Sequence, residues 1–163
     1  MNNSNHPQTD IFLNGVSSSG KTTIAKILQT TLPEPYLHVQ LDTFEEMLPE
    51  RYGEGGAFDW LALFPRLLSG FHHSIAELAV AGNNLIVDHV AVTREGWHSS
   101  LIECAYLLMP FRAYLVGVYC PLDELLRRMP GLTASDERLS RPFARTADRE
   151  RFLEGLRKAG MPA

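Results

Sequence analysis

Cysteine is scarce in this chain of 163 residues: Cys104 and Cys120 stand alone, without metal-ligand spacing and too few for a disulfide framework. Long apolar runs are also missing, so no segment is long enough to cross a bilayer. The polar start, Met1 to Gln8, has neither the basic opening nor the apolar stretch of a secretion signal. Together these absences argue against secreted and membrane classes, and the expectation is a soluble protein of the reducing cytoplasm.

Positive charge is thin over most of the sequence. Residues 1–126 hold six Lys and Arg against fourteen Asp and Glu, whereas residues 127–163 hold nine against five. A basic tail can mark nucleic-acid contact, but only Phe143 and Phe152 are interleaved among these arginines, so no nucleic-acid partner is expected. A solvated helix face, or arginines closing over phosphates, explains the same charges. With 45% apolar and 21% charged residues the composition is that of an ordinary globular protein, and the length suits one core. Residues 1–9 read as a disordered leader, and 10–163 as a single domain whose pattern becomes irregular from about residue 130. Nothing in the pattern sets an oligomeric state.

Apolar runs and turn signals alternate along that domain. Ile11-Phe12-Leu13 reads as a buried strand stopping at Asn14-Gly15. Ile24, Ile27, Leu28 and Leu32 recur at helical spacing before Pro33. Tyr36 to Leu41 reads as a second strand running into Asp42, with a short helical turn at Phe44 to Leu48. Pro49 to Asp59 is a glycine-rich loop. Leu67, Leu68, Phe71, Ile75, Leu78 and Ala79 form an amphipathic stripe stopped by Gly82. Leu85-Ile86-Val87 is a third strand, ending on Asp88. Trp97, Leu101, Cys104, Ala105 and Leu108 mark a helix, and Tyr114 to Cys120 a fourth strand. Pro121 to Arg128 opens a helix with acids at its amino end. Such alternation predicts an α/β fold: a parallel sheet of four to five strands, covered by helices on both faces.

One motif carries chemistry outright. Gly15-Val16-Ser17-Ser18-Ser19-Gly20-Lys21-Thr22 matches G-x-x-x-x-G-K-[ST] at every fixed position, between an apolar strand and an amphipathic helix. The glycines let backbone N–H groups converge on phosphate oxygens, and the helix start aims its dipole at the same anion. Lys21 suits the β- and γ-phosphates, and the Thr22 hydroxyl suits Mg²⁺. Thr23 follows on the same helix start and joins the nucleotide set, and ATP is the expected ligand.

Asp88 ends a hydrophobic run and reads as a second metal-side carboxylate. Asp42 ends the second strand in the same manner. Ligands of open parallel sheets bind beyond the carboxyl ends of the strands, so Asp42, Asp88 and the phosphate loop are expected to share one crevice. An Asp near the metal but not on it is a natural base for an acceptor hydroxyl, and Asp42 takes that part; its bland alternative is a helix N-cap. His38 and His89 lie beside these aspartates and read first as packing residues. His72 and His73 are expected to face solvent. Tyr52, Phe58 and Trp60 flank the glycine-rich loop, as core, lid or acceptor-pocket residues.

No guanine-reading N-K-x-D segment and no ABC-type signature is present, which leaves the compact P-loop kinases. Here the residues resemble the chloramphenicol phosphotransferase-like proteins. The likeness runs from Ile11-Phe12-Leu13-Asn14-Gly15 through Lys21-Thr22 and Leu32-Pro33-Glu34-Pro35-Tyr36 to the strand before Asp42. It continues in Asn83-Asn84-Leu85-Ile86-Val87-Asp88-His89-Val90 and in Val116-Gly117-Val118-Tyr119-Cys120-Pro121. That resemblance implies transfer of the ATP γ-phosphoryl group to a hydroxyl of a small molecule, an antibiotic like chloramphenicol or a related metabolite. It makes Asp42 the base, with Lys21 and the loop amides on the departing phosphate, Mg²⁺ on Thr22, and Asp88 beside metal and acceptor. Arg128 and Arg138, with Arg141, are its candidate lid arginines. The family's last strand, ending near an Asp-Thr pair, has no counterpart in the sequence, and the carboxyl-terminal strand is expected to be missing. A kinase of a sugar or nucleoside, and a nucleotide-binding remnant without transfer, remain the alternatives.

Overall fold

A computed structural model of the chain describes residues 8–49, 52, 60–90, 100–131, 150, 154 and 158. The Ile11–Leu13 run forms the middle of strand β1 (Thr9–Asn14), and the glycine-rich turn feeds helix α1 (Lys21–Thr31). Strand β2 (Tyr36–Gln40) runs directly into the short helix α2 (Leu41–Glu46). Helix α3 (Trp60–Val80), strand β3 (Asn84–His89), helix α4 (Ser100–Leu108), strand β4 (Arg112–Gly117) and helix α5 (Leu122–Arg128) follow.

The strands form one parallel sheet in the order β2-β3-β1-β4. Parallel neighbours need crossovers, and the helices between successive strands supply them. Pairing of Asn14 with His89 and of Gln40 with Asp88 aligns the carboxyl ends of β1, β2 and β3 at one edge. Alternation along the strands splits the core in two. Phe12, Leu85 and Val87 pack with Leu68, Phe71, Ile75 and Leu108 of α3 and α4, while Leu13 and Ile86 pack with Ala25 of α1. Leu13, Leu85, Ile86 and Val87 are wholly buried, each stabilising the fold by about 1.5–3 kcal/mol. Helix α3 stops where Gly82 takes φ 86°, with the Gly82 and Asn83 amides donating to the carbonyls of Ala79 and Leu78.

Several boundaries depart from the sequence reading. β1 begins at Thr9, inside the expected leader, and Gln8 already donates a side-chain hydrogen bond to Asp10. β2 ends at Gln40, so Asp42 lies in the first turn of α2 rather than at a strand end. β4 spans Arg112–Gly117, not 114–120, because it pairs with β1 from Thr9 opposite Arg112 to Asn14 opposite Gly117. All six residues of β4 are exposed, against the expectation of a sheet covered on both faces. Among the described residues it is one edge of the sheet, β2 being the other, and an open apolar groove of about 500 Å³, lined by Phe12, Ile102, Leu108, Met109, Phe111 and Leu115, separates it from α4. On α1, Ile24 and Ile27 are exposed while Lys21 and Ala25 are buried. Apart from Tyr52, the loop between Pro49 and Asp59 lies outside the described residues, as do Trp97 and most of the tail. Among the described residues the sheet has four strands, no helix is long and apolar enough to cross a membrane, and no group of His, Cys, Asp and Glu is placed to hold a metal ion; both cysteines are free.

Candidate active site

The site begins where β1 runs out. The Val118 amide donates to the Asn14 carbonyl at 2.7 Å, so the chain after β4 lies against the start of the phosphate loop. A Cβ on Gly15 would come 2.4 Å from the Val118 carbonyl oxygen, and only glycine fits. Ser18 and Gly20 have φ of 61° and 101°, in the left-handed region. Such a conformation costs about 1–3 kcal/mol at a non-glycine residue and is concentrated at functional sites. Here it turns the loop back toward α1, giving the winding that lets successive N–H groups converge on an anion. Gly20 is the N-cap of α1 and no side chain caps this helix, which leaves its first N–H groups for such an anion. The Ser19 hydroxyl is buried in the loop without a hydrogen-bond partner among the described residues.

Lys21, the first residue of α1, is 7% exposed and donates from Nζ to the carbonyls of Gly15 and Val16, 3.1 Å each. Its Nζ lies 3.8 Å from Asp88 Oδ1, and Thr22 Oγ1 donates to Asp88 Oδ2 at 2.6 Å. The hydroxyl of Thr22 and the carboxylate of Asp88 form a compact set of oxygen donors, the chemistry Mg²⁺ selects. His38 of β2 directs a buried Nε2, without a hydrogen-bond partner among the described residues, to 4.0 Å from Asp88 Oδ2. Burial lowers the His38 pKa, with Asp88 opposing.

A crevice of about 300 Å³ brings Ser17, Ser18, Gly20, Lys21, Thr22 and Thr23 together with Asp42, Asp88 and Arg128. Gly15, Val16 and Ser19 belong to the loop but not to this lining. Asp42 is exposed, and since the N-cap of α2 is Gln40 without a side-chain bond, the geometry does not assign Asp42 a capping role. Arg128, at the end of α5, donates to the Ser18 carbonyl at 3.1 Å and to Glu124 at 2.6 Å. Arg127 and Arg128 together pull the Glu124 carboxyl down to about 2. Leu41 and Val90 complete the lining; neither carries a polar signal that sequence reading would single out. Arg138, Arg141 and Phe58 lie outside the described residues, as does the side chain of Trp60. Tyr52 is half-buried and stands apart from the crevice lining.

The expectation for His72 is overturned: it is fully buried, whereas His73 is exposed. His72 Nε2 lies 2.9 Å from His89 Nε2, and His72 Nδ1 lies 3.2 Å from Glu103 Oε2. Burial pushes the His89 pKa down to about 4, with smaller contributions from His72 and Lys21. Burial also lowers His72, against the raising effect of Glu103. Periodicity held the signal. His72 falls four residues after Leu68 and three before Ile75, inside the buried stripe of α3.

Residues 9–138 match the family described as chloramphenicol phosphotransferase-like protein. A Mycobacterium tuberculosis (strain H37Rv) protein named "Putative O-phosphotransferase Rv2636" is 28% identical over 139 residues, 72% of this chain and 60% of the relative. The chain thus spans less than two thirds of that relative's length. Among solved structures, the Mycobacterium tuberculosis APS kinase CysC in complex with AMPPNP and APS superposes with TM-score 0.60 at 18% identity, over 77% of this chain and 70% of that one. A sugar kinase from Janibacter sp. HTCC2649 gives 0.56 at 19% identity, over 95% and 96%. These two likenesses show the α/β fold of P-loop kinases.

Proposed function

We propose that this chain, which belongs to the chloramphenicol phosphotransferase-like family, uses the crevice to move the γ-phosphoryl group of ATP onto a hydroxyl of a small molecule. Family and fold together support a phosphotransferase; the nucleotide, the acceptor and the residue roles are our reading. The observation that carries it is the meeting of Thr22 and Asp88 at 2.6 Å in a crevice that also holds Lys21 and the exposed Asp42.

In this reading Asp42 accepts the acceptor's hydroxyl proton as that oxygen bonds to the γ-phosphorus. The bond from phosphorus to the β–γ bridging oxygen breaks, and ADP leaves with the electron pair. Loop residues Gly15 to Gly20 and the start of α1, through Thr23, bind the phosphates by backbone N–H groups. Lys21 swings from the Gly15 and Val16 carbonyls to the β- and γ-oxygens, where it offsets the charge that builds up. Mg²⁺, held by Thr22 with Asp88, would screen the phosphate charges. Arg128 closes the crevice from α5, and Arg138 is assigned the same duty. The acceptor is taken to be chloramphenicol-like, and the protein to act in the cytoplasm.

Purified protein with labelled ATP and a panel containing chloramphenicol, sugars and nucleosides tests the reading. Transfer to one class names the acceptor. Asp42→Ala is expected to lower transfer by about 10²–10⁴-fold with ATP affinity nearly unchanged. Parent-rate transfer by that variant removes Asp42 from the role of base. ATP binding without transfer to any acceptor favours the remnant.

A further inference from the structure

Asp88 and His89 are neighbours in β3 and therefore point to opposite faces of the sheet. Asp88 meets Thr22 and Lys21 on the α1 side. His89, 3% exposed, turns into the core under α3, beside Phe71 and stacked on His72 with ring centroids 5.2 Å apart. From there a chain of polar contacts runs outward. His89 Nε2 meets His72 Nε2, His72 Nδ1 meets Glu103 Oε2 on α4, and Glu103 Oε1 accepts from Ser69 Oγ at 2.8 Å.

Donor chemistry gives this chain a direction. An ionised carboxylate only accepts, so Glu103 holds the proton of His72 on Nδ1. With that ring neutral, its Nε2 is an acceptor, and the 2.9 Å contact then requires His89 to donate from Nε2. Glu103 thus dictates, through His72, which nitrogen of His89 is protonated. Three apolar side chains would fill the same space without the desolvation cost of two imidazoles and a carboxylate. What the polar set adds is direction, because hydrogen bonds in a buried, low-dielectric setting fix orientation as well as position; His89 Nδ1 is left without a hydrogen-bond partner among the described residues, so the Nε2 contact is what orients the ring.

That direction bears on the crevice. Pairing of β3 with β2 ends at Asp88, and pairing with β1 ends at His89. The last residue the sheet holds is thus the one fastened from below. We propose that Glu103, His72 and His89 form a positioning relay that fixes the carboxyl end of β3 and so holds the Asp88 carboxylate on Thr22. None of the three lines the crevice, and they act through Asp88. The inference rests on the phosphotransfer reading only for what Asp88 then does.

Two measurements on the full chain test it, in the parent and in Glu103→Leu, Glu103→Gln and His72→Phe. Nitrogen-15 NMR of the imidazole rings reports the tautomers. The parent and Glu103→Gln, whose amide oxygen accepts the same proton, should show His89 protonated on Nε2. In Glu103→Leu the His89 signal should move to a mixture of tautomers. Calorimetry of ATP with Mg²⁺, and of ATP with chelator, gives the affinity gained from the metal. That gain should fall about tenfold in Glu103→Leu and His72→Phe and recover in Glu103→Gln, while metal-free ATP affinity stays at the parent value. An unchanged His89 tautomer in Glu103→Leu overturns the relay. So do equal losses with and without Mg²⁺, which is what looser packing alone gives. Should His72→Phe not fold, the half-exposed Glu103 variants carry both arms. A parent that binds no ATP counts against the phosphotransfer reading instead, and the tautomer measurement still decides the relay.

Discussion

Gly15→Ala puts the contact between the phosphate loop and the end of β4 to a quantitative test. The added methyl would lie 2.4 Å from the Val118 carbonyl oxygen and 3.0 Å from Ser19 Oγ. The serine hydroxyl can rotate away, but the carbonyl is backbone, and its own amide is committed to Asn14 at 2.7 Å. Relief therefore needs the segment after β4 to move outward. Overpacking of this kind costs about 1–3 kcal/mol, and weakening the Val118–Asn14 hydrogen bond adds about 0.5–1.5 kcal/mol. The expected loss is about 2–4 kcal/mol, a large part of the roughly 5–15 kcal/mol that holds a domain together. Urea unfolding should show it as a midpoint lowered by about 1–2 M at unchanged slope, and calorimetry as weakened ATP binding. Gly70→Ala is the matched control, because Gly70 lies within α3 with nothing within 4 Å of an added Cβ. It should stabilise by about 0.5–1 kcal/mol, the ordinary helix preference. If Gly15→Ala matches the parent in midpoint and ATP affinity, the Val118 carbonyl does not pin the loop and the reasoning fails.

Other consequences follow from buried or bridging charges. Asp10, in β1, is fully buried, with no hydrogen-bond partner for Oδ2 among the described residues, and burial pushes its pKa from 3.8 up to about 6, against smaller lowering effects from Gln8 and Leu85. The native state thus binds this proton more tightly than the unfolded chain. The contribution of Asp10 is fully present below about pH 4 and is lost as pH rises to about 6. Asp10→Asn should therefore gain stability relative to the parent across that window, by up to about 3 kcal/mol in urea unfolding at successive pH values. A pH-independent difference between the two proteins would refute it. Arg128→Ala removes a guanidinium that spans Glu124 and the Ser18 carbonyl on a partly exposed helix end. Its unfolding midpoint should barely change, since such exposed pairs contribute little, while ATP affinity should fall about tenfold if the guanidinium meets phosphate. Unchanged ATP affinity would remove Arg128 from the nucleotide set.

What could be read from the sequence was whatever a local pattern enforces. The phosphate loop, the buried β1 and β3, the stripe on α3 and the Gly82 stop all follow from spacing, and each lies where spacing put it. Strand limits did not, because a partner sets them. The apolar run from Tyr114 to Cys120 has no internal mark at Gly117, where β1 ends opposite it. The apolar spacing of α1 located the helix without settling its buried face, where Leu28 and Leu32 pack on the core. Turning Lys21 inward fixes the helix phase, so Ala25 faces the core and Ile24 and Ile27 turn away. Polarity misled at His72, whose position in the buried stripe was the better guide. Its partners, Glu103 and His89, come from distant segments and are joined only by tertiary contact.

The bareness of β4 bears on how the protein behaves in bulk. Its outer edge carries the sequence Arg112-Ala113-Tyr114-Leu115-Val116-Gly117, with Tyr114, Leu115 and Val116 open to water and Arg112 its single charge. Arg112 partly covers Tyr114, its guanidinium 5.7 Å from the ring centre. Among the described residues no strand pairs with this edge, and a row of unpaired N–H and C=O groups beside apolar side chains is a template onto which another strand can add. One arginine is a thin gatekeeper for such an edge. No residue of β4 lines the crevice among α1, α2 and β3, so a charge placed at Leu115 is expected to act on solubility and to leave the phosphate loop and its aspartates untouched.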